Sequence, residues 1–196
     1  MVLKNRDDPR AWISSLSALS AMLFDSVACE MQAIQNNDNF SSQDLSNLLH
    51  SFATSQRCED ELFESFSSTL LRVFGGEDSQ AKPQHFSNVI WSYATAEIRG
   101  ARQVELLSLL ADTMESRPGF VDSMKGQGLA NTAWALAKLM VQSEEHNNNN
   151  SHREHSTMET TTNTKKDRDL SVVRILRQVA MAMIKRPDAF RPQEGR

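Results

Sequence analysis

Cysteine is scarce. Two thiols, Cys29 and Cys58, in 196 residues make no disulfide framework and no structural metal centre. Cys29 is expected in or near a helix core and Cys58 at a helix end. Long apolar runs are missing too: none approaches the ~20 residues that cross a bilayer, so no membrane partner is expected. Positive charge is not in excess, with a net charge of −4 and a pI near 5.7. That disfavours a strongly basic nucleic-acid binder, because phosphate neutralisation draws on Lys and Arg; local charge nevertheless counts for more than the sum. The seven glycines form no phosphate loop or kinase pattern. Gly126-Gln127-Gly128 has no following glycine and no Lys-Ser/Thr in place. His50 and His85 lack a Cys or Asp partner at catalytic spacing, and His146, His152 and His155 fall in a polar run. No enzyme, cofactor, metal or small-molecule substrate is therefore expected. The segment Met1–Pro9 carries two acids and reads neither as a signal peptide nor as a transit peptide.

What the chain does have is a recurrence. Gln127-Gly128-Leu129-Ala130-Asn131-Thr132-Ala133-Trp134-Ala135-Leu136-Ala137-Lys138-Leu139 aligns without gaps on two upstream stretches. One runs Gln43-Asp44-Leu45-Ser46-Asn47-Leu48-Leu49-His50-Ser51-Phe52-Ala53-Thr54, the other Gln84-His85-Phe86-Ser87-Asn88-Val89-Ile90-Trp91-Ser92-Tyr93-Ala94-Thr95. A fourth copy begins at Pro192-Gln193-Glu194. Each copy reads as an amphipathic helix, and the segments between them carry second helices: from near Glu59 to Gly75-Gly76, and from about Ala101 to Ser116. An earlier helix runs from Asp8-Pro9 to about Ile34, with Trp12, Leu16, Leu19, Leu23, Val27 and Met31 as its stripe. Helix, turn, helix, loop is the unit.

The step from Gln43 to Gln84 is 41 residues, from Gln84 to Gln127 it is 43, and from Gln127 to Gln193 it is 66. The excess lies in a run of Glu, His, Asn and Thr that has almost no apolar side chain to offset its ordering entropy. A further helix, Leu170–Arg186, follows it. The expected fold is all-α: an α-solenoid of antiparallel helix pairs in repeats of about 41–43 residues, with no sheet. Residues 1–142 are expected to form the helical-repeat solenoid, 143–168 a disordered low-complexity insertion, and 169–196 a truncated continuation. The chain is expected to begin inside one unit and end inside another, as a fragment or a solenoid without caps would. A hydrophobic fraction of 39% is low for a compact enzyme but workable for a solenoid with two broad surfaces.

At about 100° per residue the recurrent helix sorts into three faces. Leu45, Leu48, Leu49 and Phe52, with their equivalents, form the main buried stripe. A second stripe holds Ser46, His50 and Ala53, then Ser87, Trp91 and Ala94, then Ala130, Trp134 and Ala137. Its small–large–small pattern assigns it to stacking between units. Trp12, Trp91 and Trp134 could stack on bases, but the buried reading is preferred for Trp91 and Trp134. The third face holds Asn47, Ser51 and Thr54; Asn88, Ser92 and Thr95; Asn131, Ala135 and Lys138. A merely solvated face would carry Glu and Lys, which favour helix and solubility. Short hydrogen-bonding side chains have two readings. Either Asn ties a neighbouring loop, or the residues form a ladder along a concave groove, as in modules that read RNA with a few side chains per repeat.

The Gln127–Leu139 helix resembles the hallmark helix of the octotricopeptide repeat proteins, and is similar to helices of FAST-kinase-like and RAP-domain proteins. Pro83-Gln84, Asn88, Trp91 and Tyr93-Ala94 look like a diverged copy. The resemblance implies an α-solenoid that binds single-stranded RNA in a mitochondrion or plastid and acts on its stability, processing or translation. The repeats run longer than that family's nominal unit, no RAP domain is evident, and no clear targeting peptide is present. On this reading Asn47, Ser51, Thr54, Asn88, Ser92, Thr95, Asn131 and Lys138 line the RNA groove. The alternative is an armadillo- or HEAT-like scaffold that uses the same groove for a protein partner. The acidic total favours the scaffold; the repeat resemblance favours RNA and is given more weight.

Overall fold

The computed structural model describes residues 17–19, 21–29, 40–58, 60–76, 79–98, 101–149 and 158–190. Among them there is helix, turn and loop, and no strand. The chain divides into two units, residues 1–37 and 38–196. In the first, helix α1 is seen at 17–19 and 21–29, and the Ser26 hydroxyl donates to the Met22 carbonyl at 2.9 Å. Leu19 and Leu23 of the expected stripe are exposed, and so is Cys29, which is not in a core. The described part of this unit holds no second element for the stripe to close on. Trp12, Leu16 and Met31 lie outside the described residues.

The second unit runs α2 (Ser42–Thr54), α3 (Asp60–Gly75), α4 (Pro83–Ala96), α5 (Ala101–Ser116), α6 (Gly126–Asn149) and α7 (Met158–Lys185), with 3-10 turns at Val121–Ser123 and Pro187–Phe190. Local chemistry sets the ends. Ser41 and Asp44 close a capping box on α2: the Asp44 N–H donates to Ser41 Oγ at 3.2 Å and the Ser41 N–H to Asp44 Oδ2 at 3.1 Å. That bonding to Ser41 holds the Asp44 carboxyl below its ordinary range. Pro83 takes the first position of α4. Left-handed residues stop the chain after two helices, Gln56 (φ 57°) after α2 and Glu97 (φ 60°) after α4; Gly119 (φ 79°) turns it after α5.

Helical backbone enters both flanks of the polar segment expected to be disordered. Residues 143–149 complete α6 and 158–168 open α7, while 150–157 lie outside the described residues. Nucleation is the costly step of helix formation, so a helix anchored by its packed half propagates into polar residues at little further cost.

Packing follows two series. Helices α2, α4 and α6 touch in succession, as do α3, α5 and α7, and each helix of the first series also meets the one that follows it in sequence. The core lies between the series. It holds Leu45, Leu49 and Phe52 of α2; Phe63, Phe66 and Leu70 of α3; Phe86, Val89, Ile90 and Tyr93 of α4; Leu107 and Leu110 of α5; Leu129 and Leu136 of α6; and Val172, Ile175 and Val179 of α7. Edge-on aromatic pairs run through it: Phe63–Tyr93 at 5.3 Å, Phe74–Phe86 at 4.8 Å and Phe86–Phe120 at 5.5 Å. The Tyr93 hydroxyl donates to the Phe63 carbonyl at 3.1 Å and lies 2.6 Å from Ser67 Oγ, so its polar tip is satisfied inside the core. Burial drives its pKa upward. On the second series Arg174 of α7 forks onto Asp112 (2.7 Å) and Glu115 (2.6 Å) of α5.

Small residues bring the first series close. Ser46 and Ala53 of α2, and Ser87 and Ala94 of α4, are all buried, in line with the expected stacking stripe. The opposite flank of each following helix is packed as well. Ser92 lies seven residues after His85, which bonds Ser42 of α2, and Ala135 lies seven after Gly128, which faces Ser87 of α4. Positions seven apart share a helix face, and Ser92 and Ala135 are both 0% exposed. Neither is on the ligand face where the sequence placed them. Conversely, Ala130, Trp134 and Ala137 of α6 are exposed, because no further helix of the first series follows among the described residues.

A charge pair of substitutions checks this inversion. Ala135→Glu should cost about 3 kcal/mol or more by burying a charge in a tight interface, while Ala137→Glu should stay within about 0.5 kcal/mol. Urea unfolding measures both, and equal effects would contradict the assignment.

Candidate nucleic-acid interface

An interior helix of the first series has three packed sides: the core, the preceding helix and the following helix. What remains is a strip opposite the core. On α4 it holds Gln84, Asn88, Trp91 and Thr95, which fall about 140–200° from Phe86 on the helical wheel. The equivalents are Gln43, Asn47, His50 and Thr54 on α2 and Gln127, Asn131, Trp134 and Lys138 on α6. Across the three helices these make four rows of matching residues.

The Asn row, with Gln84 and Gln127 of the Gln row, converges on a groove of about 670 Å³. Asn47 and His50 of α2, Gln84, Ser87 and Asn88 of α4, and Gln127 and Asn131 of α6 line it; Lys82 and Lys125 stand at the points where the chain enters α4 and α6. No Asp or Glu is among the lining residues. The floor is closed by the Ser87 hydroxyl, which donates to the Gly128 carbonyl at 3.1 Å. A Cβ on Gly128 would meet the Ser87 hydroxyl oxygen at 3.8 Å, an ordinary van der Waals contact, so Gly128 faces Ser87 across the α4–α6 contact. The groove therefore offers amide donors and acceptors at each step, two cations and no carboxylate. This combination suits a strand carrying phosphates and base edges.

The aromatic row runs beside it. His50 and Trp91 have ring centroids 4.7 Å apart, and Trp91 and Trp134 are 6.4 Å apart. Trp134, on the uncovered flank of α6, is 48% exposed, and Trp91, in contact with both His50 and Trp134, is half-buried, so neither is the fully buried residue expected from the sequence. The rings contact each other without space for a base between them. An incoming base can use only an outer ring face or an edge.

Of the residues expected to line the groove, Asn47, Asn88 and Asn131 do so together. Ser51 and Thr54 are exposed but not among the lining residues. Their hydroxyls donate to their own helix, to the Asn47 carbonyl at 2.9 Å and the His50 carbonyl at 2.7 Å. Ser92 is buried and donates to the Asn88 carbonyl at 2.7 Å. Thr95 is half-buried, with a hydroxyl that finds no protein partner. Lys138 is engaged twice: its Nζ is 3.2 Å from Glu97 and 5.6 Å from the centre of the Trp134 ring. Gln84, Gln127, Lys82, Lys125 and His50 were not foreseen as lining residues. The signal for the glutamines was present, since Gln opens every copy of the repeat.

His85 holds one rim of the groove in place. Its Nδ1 accepts the Lys82 N–H at 3.3 Å and lies 3.0 Å from Ser42 Oγ. Because a backbone N–H can only donate, Nδ1 is unprotonated and the imidazole is neutral with its proton on Nε2. Burial, and then the nearby Lys82 charge, lower its pKa below 6.5. His85 thus does for α4 what Asp44 does for α2.

No protein-family model matches the chain, and no curated protein or solved structure matches it either.

The depressed pKa of His85 has a definite sign. The unfolded chain takes up the proton first, so His85 contributes stability in full above pH 6.5 that is lost as pH falls from there through its lower folded pKa. His85→Asn keeps an acceptor near Nδ1 and cannot titrate. The wild-type urea midpoint should drop more steeply between pH 7.5 and 5.5 than that of the variant; parallel pH profiles would remove His85 from this role.

Proposed function

We propose that this protein is an α-solenoid of stacked helix pairs that binds single-stranded RNA along the outward strip of α2, α4 and α6. The observation that carries the proposal is the groove: the repeat asparagines Asn47, Asn88 and Asn131 meet in one acid-free cleft together with Gln84, Gln127 and two lysines. The helix series α2–α4–α6 and α3–α5–α7 support the solenoid, since each element stacks on the one two places along. The resemblance of the Gln127–Leu139 helix to octotricopeptide repeats supports the same ligand, and by that likeness a role in organellar RNA stability, processing or translation. A peptide-binding scaffold remains the rival, and the sign of the groove bears on it. The whole chain is acidic, yet the charged side chains lining this cleft are lysines.

A random pool of single-stranded RNA should be enriched by the protein, with affinity falling as salt rises. Asn88→Ala with Asn131→Ala should weaken the selected RNA by roughly 5-fold to 30-fold, at about 1–2 kcal/mol for the pair, and leave the helical circular dichroism intact. Loss of helicity in that variant would make the asparagines structural. No enrichment at any salt would leave the scaffold reading in possession of the groove.

A further inference from the structure

Resting on the RNA reading, we infer that Lys82 and Lys125 are the phosphate contacts of this groove: the α4 and α6 repeats each grip one phosphate of the strand through a cation placed two residues before the repeat glutamine. Both lysines are helix N-cap residues, and there a lysine is out of place. Lys82 is the N-cap of α4 and makes no side-chain cap bond. The Lys125 carbonyl accepts the Leu129 N–H at 3.1 Å, which makes Lys125 the residue that enters α6. An ammonium has no acceptor with which to satisfy the first-turn N–H groups. Its charge also sits against the positive end of the helix dipole. At the corresponding point of α2 the chain has Ser41, which caps properly. Two helices of one series therefore carry, at the same register, a residue that opposes their own stability, and such breaches of a local rule concentrate at functional sites.

Three further observations agree. Both lysines line the groove beside Asn88 and Asn131 and are exposed there. Among the described residues neither forms an ion pair, whereas Arg102, Lys138, Arg168, Arg174 and Lys185 all do. In the sequence the register recurs: Lys82, Lys125 and Arg191 each stand two residues before Gln84, Gln127 and Gln193. Three cations at four such positions is well beyond what 21 Lys and Arg in 196 residues would supply by composition. An ammonium on a flexible stem, with no carboxylate to engage it, contacts a phosphate as a point charge and leaves the bases to the amide row.

The test uses Lys82→Ser and Lys125→Ser, singly and together, in the full chain. Serine is a better N-cap, so thermal midpoints should rise, while binding to single-stranded RNA should weaken. Measured against salt, the slope of log K on log[salt] should flatten by about 0.7 for each lysine removed, the value for one phosphate on a single strand. An oligonucleotide with neutral methylphosphonate linkages should bind wild type and double variant alike. RNA binding with an unchanged salt slope in the double variant overturns this inference and leaves the RNA reading standing. Absence of RNA binding by the wild-type protein overturns both.

Discussion

Two helices can approach only as closely as the side chains between them permit, and in the α2–α4–α6 series those side chains are small. Ser46 and Ala53 of α2, Ser87 and Ser92 of α4 and Ala135 of α6 are all buried in a series whose successive helices touch, and Gly128 of α6 faces Ser87. The Ser87 hydroxyl reaching the Gly128 carbonyl marks how near the backbones come. With such contacts on both flanks and the apolar core on a third side, the interior helix α4 keeps only a narrow strip toward solvent. The candidate site is the product of that constraint. Rows of Gln, Asn and aromatic residues are brought into line because the helices that carry them are stacked in register.

The register has an energetic side. Ser42 and His85 tie the start of α2 to that of α4, and Arg186 donates to the Met124 and Val121 carbonyls at 2.9 and 3.2 Å, fixing the turn that leads into α6. The groove rim is therefore set by buried or half-buried polar bonds, while its mouth is left with amides and two lysines that form no ion pair among the described residues. A pre-formed cleft of this kind spares a ligand the cost of ordering the protein. The second series serves as the backing layer, with Arg174 clamped to Asp112 and Glu115.

Much of the fold was legible in the sequence. The alternation of helix-favouring stretches with Gly75-Gly76, Pro83 and Pro118-Gly119 set the boundaries of α3, α4 and α5 to within a residue or so, and the apolar stripe Phe86–Val89–Ile90–Tyr93 is buried as expected. The faces were harder. A helical wheel locates the core side but cannot distinguish a flank covered by a neighbour from one left open, since both carry small or polar residues. Ser92 and Ala135 look like a polar surface and are packed; Trp91 and Trp134 look like core and are partly open. Asn88 and Asn131 lie nearly opposite the core stripe, and both line the groove. The lysines belong to the repeat only if it is taken to begin two residues before its glutamine, outside the helical stripe pattern.

Ultraviolet cross-linking of bound single-stranded RNA, followed by identification of the modified peptides, addresses the ligand face most directly. Cross-links within residues 43–54, 82–95 and 123–138 are the expected result, with the richest yield around Trp134, whose ring is the most open of the aromatic row. Cross-links confined to α3, α5 and α7 would place the strand on the opposite surface and contradict the assignment of the α2–α4–α6 strip as the RNA-binding face.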